Sequence, residues 1–251
     1  MRAFARIIAA AVLLVMAHGS ARAAETQVAV AANFTAPAKE IAAAFRTATG
    51  HTATLSFGAS GAFYAQIANG APFEVFLSAD ADRPAKAEND GFAVPGSRFT
   101  YAIGRLVLYS TITGMVDSAG AVLKRGTFAH LAIADPIAAP YGAAAVETIA
   151  RLGLTTTVRP KLVTANSITN VYQFVATGAA ELGFVAQSQV IGVTGGSRWL
   201  IPAALHAPII QQAVLLRTGA ANPAATAFIA FLRGPQAAAI IRRYGYEVTA
   251  H

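Results

Sequence analysis

The chain has 251 residues, of which 55% are hydrophobic and only 12% are charged. It is long enough for one large domain or two lobes, and so little charge argues against a disordered chain. The net charge of +7 comes from scattered basic residues, without the clustered basic run of a nucleic-acid-binding protein. The absence of cysteine excludes disulfides and thiolate metal sites, and the five histidines show no metal-ligand spacing.

The first 23 residues have the pattern of a signal peptide. Arg2 and Arg6 form a short basic start, an apolar run covers residues 7–16, and a small-residue cleavage site, A-R-A, follows. The run is too short to span a bilayer as a helix, although a retained anchor is the alternative. We therefore expect export to the periplasm and a mature protein that begins near Ala24. Its net charge is +4, because three arginines leave with the signal.

After this segment, short apolar strands alternate with amphipathic helices, which predicts an α/β fold with mostly parallel sheets. The first strand is expected at residues 27–32, and its helix starts near Thr35 and ends at Gly50. The second strand, residues 52–57, leads through the glycine-rich loop 58–61 into a short helix.

The second half of the chain repeats this arrangement. A strand at residues 131–134 is followed by the loop 135–142 and a helix that stops at Gly153, and the loop 164–169 leads into a helix that ends at Gly178. Each helix start offers unpaired backbone N–H groups and a partial positive charge. Several starts aimed at one point would form an anion site without Lys or Arg. Every α/β protein has such loops, so the pattern also fits a fold without a site.

Two long β-rich runs, residues 99–110 and 209–217, are expected to cross between two lobes. Their hinge residues are expected within 102–105 and near 211–212. The chain would then return to the first lobe with its last two helices. The predicted division is a signal peptide at 1–23, a first lobe at 24–103, a second lobe at 104–211 and a return to the first lobe at 212–251.

The chain resembles the molybdate-binding proteins of ABC importers over residues 28–248. The resemblance lies in seven stretches in the same order, which are VAVAANFTAPAKEIAAAF, GASGAFYAQIANGAPFEVFLSAD, GFAVPGSRFTYAIGRLVLYS, IADPIAAPYG, ANSIT, GAAELGFVAQSQ and GPQAAAIIRRYGY. It implies a type II periplasmic-binding fold, with two lobes of mixed, mostly parallel sheets flanked by helices. It also implies a monomer that holds molybdate or tungstate in the cleft, passes it to a membrane permease, needs no cofactor and catalyses no reaction.

The resemblance assigns oxyanion contacts residue by residue. The side-chain and backbone donors of the four loops fall on Asn33, Ser60, Tyr141 and Ile168, with Ala32 and Ala59 as further candidates. Molybdenum would enter only as the oxyanion, without direct protein ligands to the metal. Each residue also has a structural interpretation, because Asn33 and Ser60 fit helix caps and the other two fit packed loop or core positions.

Two positions depart from the family pattern. The tyrosine donor of the family falls on Ala186, and Ala32 stands where some relatives place a hydroxyl. The site would therefore have fewer hydroxyl donors, and the amide of Asn33 is expected to compensate.

Three other functions compete with this interpretation. Residues 58–62 resemble the nucleophile elbow of a serine hydrolase, with Asp135 and His206 in the matching order, although Ala62 replaces the second glycine. The chain could also bind sulfate or another anion, or be a sensor or structural module that binds nothing.

Overall fold

The computed structural model describes residues 23–248, so the predicted signal peptide lies outside the described residues except for Ala23. The strands are β1 (Glu25–Ala31), β2 (Thr52–Gly58), β3 (Val75–Leu77), β4 (Phe99–Gly104), β5 (Leu106–Ser110), β6 (Leu131–Ala134), β7 (Leu162–Ala165), β8 (Leu182–Ala186), β9 (Ser197–Leu200) and β10 (Ile209–Leu215). The α-helices are α1 (Thr35–Thr49), α2 (Ser60–Ala68), α3 (Asp82–Asn89), α4 (Ala121–Arg125), α5 (Pro140–Arg151), α6 (Thr155–Val158), α7 (Ile168–Ala176), α8 (Gln187–Val190), α9 (Pro223–Arg233) and α10 (Pro235–Arg243). Short 3-10 helices cover Ala32–Phe34, Arg159–Lys161, Ala203–Leu205 and Arg217–Gly219.

The first sheet has the strand order β2-β1-β3-β10-β4. β1 is parallel to β2 and β3, whereas β10 is antiparallel to β3 and β4. Val28 and Val30 of β1 are fully buried in the same core as Ile41 and Phe45, which share one face of α1. The C-terminal helices α9 and α10 pack into this core. In the described part of the chain no single helix is long and apolar enough to cross a membrane, and only α9 with α10, bent by 62°, meets those criteria jointly.

The second sheet has the order β7-β6-β8-β5-β9. β6 is parallel to β7 and β8, and β5 is antiparallel to β8 and β9. Val171 and Val175 of α7 are fully buried in the core of this sheet. The two mixed, helix-flanked sheets confirm the predicted fold class. Only half of the strand pairings are parallel, because β5 and β10 arrive from the opposite lobe and run against their neighbours.

The chain crosses between the sheets twice in its described part. The first crossing is the single residue Arg105 between β4 and β5, inside the predicted hinge. The second covers residues 201–208, before β10. The expectation of a hinge near 211–212 is corrected, because Gln211 and Gln212 pair with β4 inside the first sheet, at a register shift. The predicted lobe division at 103/104 and 211/212 stays a prediction.

Strand register places the functional loops next to one another. Ala31, the last residue of β1, pairs with Gly58, the last residue of β2. In the second sheet Ala134 of β6 pairs with Ala165 of β7. Because the paired strands are parallel, the loops that follow them start side by side at the same sheet edge. Each sheet therefore presents two adjacent helix starts.

Candidate oxyanion-binding site

The loops from both sheets surround one small cavity. It is lined from the first sheet's side by Ala31, Ala32, Asn33, Gly58, Ala59, Ser60 and Ala79, and from the second by Ala139, Pro140, Tyr141 and Ile168. All six residues assigned from the sequence therefore line the same cavity. Their role as ligand contacts stays a prediction, but their juxtaposition is observed. The lining contains no charged side chain.

The hydroxyl hydrogen of Ser60 has no acceptor among the residues that the structure describes. It is the first residue of α2, and the preceding residue, Ala59, is the N-cap and has no capping side chain. The Ser60 hydroxyl oxygen accepts a hydrogen bond of 2.9 Å from the backbone N–H of Ala79. The hydroxyl is thereby oriented as an acceptor toward the protein, and its own hydrogen remains available to a ligand in the cavity.

The second lobe contributes two helix starts. Tyr141 lies in the first turn of α5, behind Pro140, and Ile168 is the first residue of α7. Backbone N–H groups in a first helical turn have no intrahelical acceptor. Ser167 caps α7 and accepts from the Asn170 N–H at 3.3 Å, which leaves the Ile168 N–H to other partners. The two positions suit backbone donation to an anion.

The structure corrects the expectation that the Asn33 amide replaces the missing hydroxyl donors. Asn33 Nδ2 donates to Gln211 Oε1 at 2.8 Å and to the Tyr246 phenol at 3.0 Å. An amide nitrogen has two hydrogens, so both are used within the protein. Ala186, on which the tyrosine of the family falls, is fully buried at the end of β8 and is not among the cavity-lining residues.

The lobes touch directly beside the cavity. The Gly61 N–H in the first turn of α2 donates to the Ala138 carbonyl oxygen at 2.9 Å. A Cβ atom at position 61 would lie only 3.1 Å from that oxygen, so glycine permits the contact. Thr169 Oγ1 donates to the Ala32 carbonyl oxygen at 3.4 Å, on the other side.

A wider cavity of about 360 Å³ adjoins the small one within the cleft. Its lining includes the carboxylates of Asp80, Asp82 and Glu147, and its cation, Arg83, is paired with Asp80. A hydrogen bond from the Ala207 N–H lowers the pKa of the Glu147 carboxyl, which therefore stays ionised at neutral pH. Carboxylates repel an oxyanion, so the small uncharged cavity is the better anion site.

The residues expected of a serine hydrolase do not form a triad in the described part of the chain. The Ser60 hydroxyl is bonded to the Ala79 N–H, Asp135 accepts from the Ile137 N–H, and His206 Nδ1 faces the Ala207 carbonyl. None of the three side chains hydrogen-bonds another, so the hydrolase interpretation loses its geometric support.

Sequence reasoning missed Ala79, which orients Ser60. It follows β3, a third strand that runs parallel to β1 and ends at the same sheet edge. The short apolar run before it, within FEVFLSAD, was the signal for that strand. Sequence reasoning also missed Gln211 and Tyr246. Both accept a hydrogen bond from Asn33, from which they are 178 and 213 residues away along the chain.

Known proteins resemble this chain closely. The molybdate-binding protein ModA of Rhodobacter capsulatus is 60% identical over 226 residues, covering 90% of this chain and 89% of the relative. ModA of Azotobacter vinelandii is 58% identical over 230 residues, with coverages of 90% and 91%. The solved structure of the Azotobacter vinelandii periplasmic molybdate-binding protein superimposes with a TM-score of 0.86 at 44% identity, over 89% of this chain and 99% of that one.

A more distant structure shows the fold alone. The sulfate-binding protein SubI of Mycobacterium tuberculosis has a TM-score of 0.75 at 15% identity, over 91% of this chain and 88% of that one. The family model described as bacterial extracellular solute-binding protein matches residues 26–247. With nearly the whole described chain matched, this protein belongs to the family of bacterial extracellular solute-binding proteins.

Proposed function

We propose that this protein binds a tetrahedral oxyanion, molybdate or tungstate, in the small cavity between its lobes. The observation that carries the proposal is the convergence of helix starts from both sheets on one uncharged cavity, which Ser60 also lines. The names of two relatives, both molybdate-binding proteins at about 60% identity, support the choice of ligand.

The chemistry of the cavity suits a fully deprotonated oxyanion. Such an ion has only acceptor oxygens, and the proposed contacts are donors, namely the Ser60 hydroxyl and the backbone N–H groups of Asn33, Tyr141 and Ile168. The helix starts add partial positive charge without a desolvated cation. A protonated phosphate brings a donor of its own, which would face another donor and be rejected. Among the described residues no group of three or more His, Cys, Asp or Glu could hold a metal ion directly.

The two-lobed structure supports a role in delivery. Donors from both lobes favour the closed arrangement of the lobes when the anion is bound, and a membrane permease of an ABC importer could recognise that arrangement. We further propose that the protein is periplasmic, monomeric and non-catalytic, and that it is exported by the signal peptide predicted at residues 1–23. The name of the Azotobacter vinelandii structure, a periplasmic protein, agrees with that location.

Calorimetric titration of the mature protein with molybdate, tungstate, sulfate and phosphate tests the proposal. We expect tight binding of molybdate and tungstate, much weaker binding of sulfate, and no measurable binding of phosphate. Sulfate binding tighter than molybdate would favour the alternative of a sulfate-binding protein, and no binding of any anion would refute the proposal.

A further inference from the structure

A cluster of buried polar side chains adjoins the cavity and joins the two lobes. We call it the interlobe cluster, and its members are Asn33, Tyr101, Gln211 and Tyr246 from the first lobe and Tyr141 and Ser188 from the second. Each residue is at most 8% exposed. Only Asn33 and Tyr141 also line the cavity, so the other members would not touch the ligand.

One branch of the cluster runs through Tyr246. Its phenol accepts from Asn33 Nδ2 at 3.0 Å, and its single hydrogen is shared between the Asn33 carbonyl oxygen, at 2.7 Å, and Ser188 Oγ, at 2.9 Å. Ser188 in turn donates to the Asn33 carbonyl oxygen at 2.8 Å, so Asn33 is held by both lobes. Tyr246 belongs to the C-terminal stretch RRYGY, whose role the proposed function leaves open.

The other branch runs through Gln211. Its Oε1 accepts from Asn33 Nδ2 at 2.8 Å and from the Tyr101 phenol at 3.0 Å, and its Nε2 donates to the Tyr141 phenol at 3.2 Å. Gln211 therefore connects the first loop of the site to the third loop in the opposite lobe. Gly104 packs against this bond and leaves no space for a side chain of its own. A Cβ at position 104 would lie 2.6 Å from Gln211 Nε2 and 2.2 Å from the Tyr141 phenol oxygen.

We propose that Tyr246 and Gln211 are positioning residues that fix the Asn33 loop at the cavity and latch it to the second lobe, thereby slowing ligand release. This inference rests on the proposed function. The bonds from Tyr246 to Ser188 and from Gln211 to Tyr141 bypass the cavity and must break when the lobes separate. Breaking them exposes polar groups that were mutually satisfied, so each branch raises the free energy of opening. Release requires opening, whereas capture by the open form does not break these bonds.

Tyr246→Phe tests the latch, because it removes one hydroxyl and keeps the ring. Stopped-flow release of molybdate into excess tungstate should be about fivefold faster than for wild type, the scale of one lost buried hydrogen bond. The association rate should stay within about twofold. Tyr64→Phe is the control, because it removes a first-lobe phenol that bonds Asp90 in the same lobe, outside the interlobe cluster. It should release molybdate at nearly the wild-type rate.

A double-mutant cycle distinguishes a latch from general destabilisation. If Tyr246 and Ser188 act through their shared bond, the acceleration of release in Tyr246→Phe combined with Ser188→Ala should be clearly smaller than the product of the two single accelerations. It should still exceed either one, because each residue also bonds Asn33 on its own. Equal release rates for Tyr246→Phe and Tyr64→Phe, or fully additive effects in the cycle, would overturn the proposal.

A measurement without ligand separates failure of the latch from failure of the proposed function. Because the natural chain contains no cysteine, Ala48→Cys on the first lobe and Ala179→Cys on the second can carry a fluorescent dye pair. Both positions are exposed. The latch predicts a larger mean interlobe distance for Tyr246→Phe than for Tyr64→Phe in the same background. If calorimetry shows no anion binding, the proposed function fails, and identical distances in these two variants would independently refute the latch.

Discussion

At the scale of single residues, Ser60 is the side chain on which the proposed site depends most. Ser60→Ala should weaken molybdate binding by about 1.5–3 kcal/mol, the contribution of a hydrogen bond to a charged group. The substitution also removes the acceptor of the Ala79 N–H. Calorimetry measures the effect, and Ser97→Ala, which removes a hydroxyl bonded to the Val94 carbonyl elsewhere in the first lobe, is the control. Unchanged affinity in folded Ser60→Ala would show that the hydroxyl has only a structural role.

Tyr141 should tolerate loss of its phenol better than Ser60 tolerates loss of its hydroxyl. The proposed ligand contact of Tyr141 is its backbone N–H, whereas the phenol accepts from Gln211 Nε2 across the lobes. Tyr141→Phe should therefore cost only about 0.5–1.5 kcal/mol in molybdate affinity, that of one neutral hydrogen bond. Complete loss of binding in calorimetry would mean that the phenol contacts the anion.

Local pattern predicted the four loops, because each connects a strand to a helix, and the family resemblance assigned the residues within them that line the cavity. Local pattern places such positions at the same edge of a parallel sheet. It could not predict the orientation of the Asn33 amide. That orientation depends on Gln211 and Tyr246, which approach only after both the second crossing and the C-terminal segment have folded back onto the first lobe.

At the scale of elements, the helices and strands followed their hydrophobic periodicity. The predicted helix from Thr35 to Gly50 is α1, and Gly50 ends it with a left-handed φ of 75°. The second crossing was misplaced because residues 209–217 are as apolar as a crossing strand. Apolar character alone does not distinguish a strand that enters a sheet from one that leaves it.

The start of α7 offers a clean test of backbone donation. Ile168 is its first residue, a position where proline is well accepted, and Ser167 before it is extended, at φ −151° and ψ 163°, as a residue before proline must be. Ile168→Pro should thus keep the helix but remove the N–H, and it should weaken molybdate binding at least tenfold.

Ile168→Ala is the matched control, because it removes more of the buried side chain and keeps the N–H. It should bind molybdate much more tightly than Ile168→Pro. Circular dichroism checks that both variants fold, and full affinity in a folded Ile168→Pro protein would contradict donation from this backbone group.

At the scale of the whole molecule, buried phenols make stability depend on alkaline pH. Burial raises the pKa of Tyr246 from its ordinary value of 10.0 to about 12, and it raises the pKa values of Tyr101 and Tyr141 well above 10.0. The folded protein therefore holds protons that the unfolded chain releases near pH 10. The associated stability is complete below pH 10 and is lost as pH rises through about 12.

Unfolding by urea at a series of pH values measures this dependence. For Tyr246 the loss should reach about 2–3 kcal/mol between pH 10 and 12, and Tyr246→Phe should show a correspondingly flatter decline. An equally steep decline in that variant would mean that the Tyr246 phenol does not contribute. Below pH 9 the phenols stay protonated, so the interlobe cluster should be unaffected by pH there.

Because Gly61 contacts Ala138 of the opposite lobe, the size of the residue at position 61 limits how closely the two lobes approach. A side chain there would act as a spacer, with its first carbon already 3.1 Å from the Ala138 carbonyl oxygen. Increasing bulk, from Gly61→Ala to Gly61→Ser to Gly61→Val, should hold the lobes progressively apart and lower molybdate affinity in that order. Gly61 is the second residue of α2, and alanine is a better helix former than glycine. The ligand-free Gly61→Ala protein should thus melt no earlier than wild type while binding more weakly, and a parallel fall of melting temperature and affinity would indicate simple damage to α2.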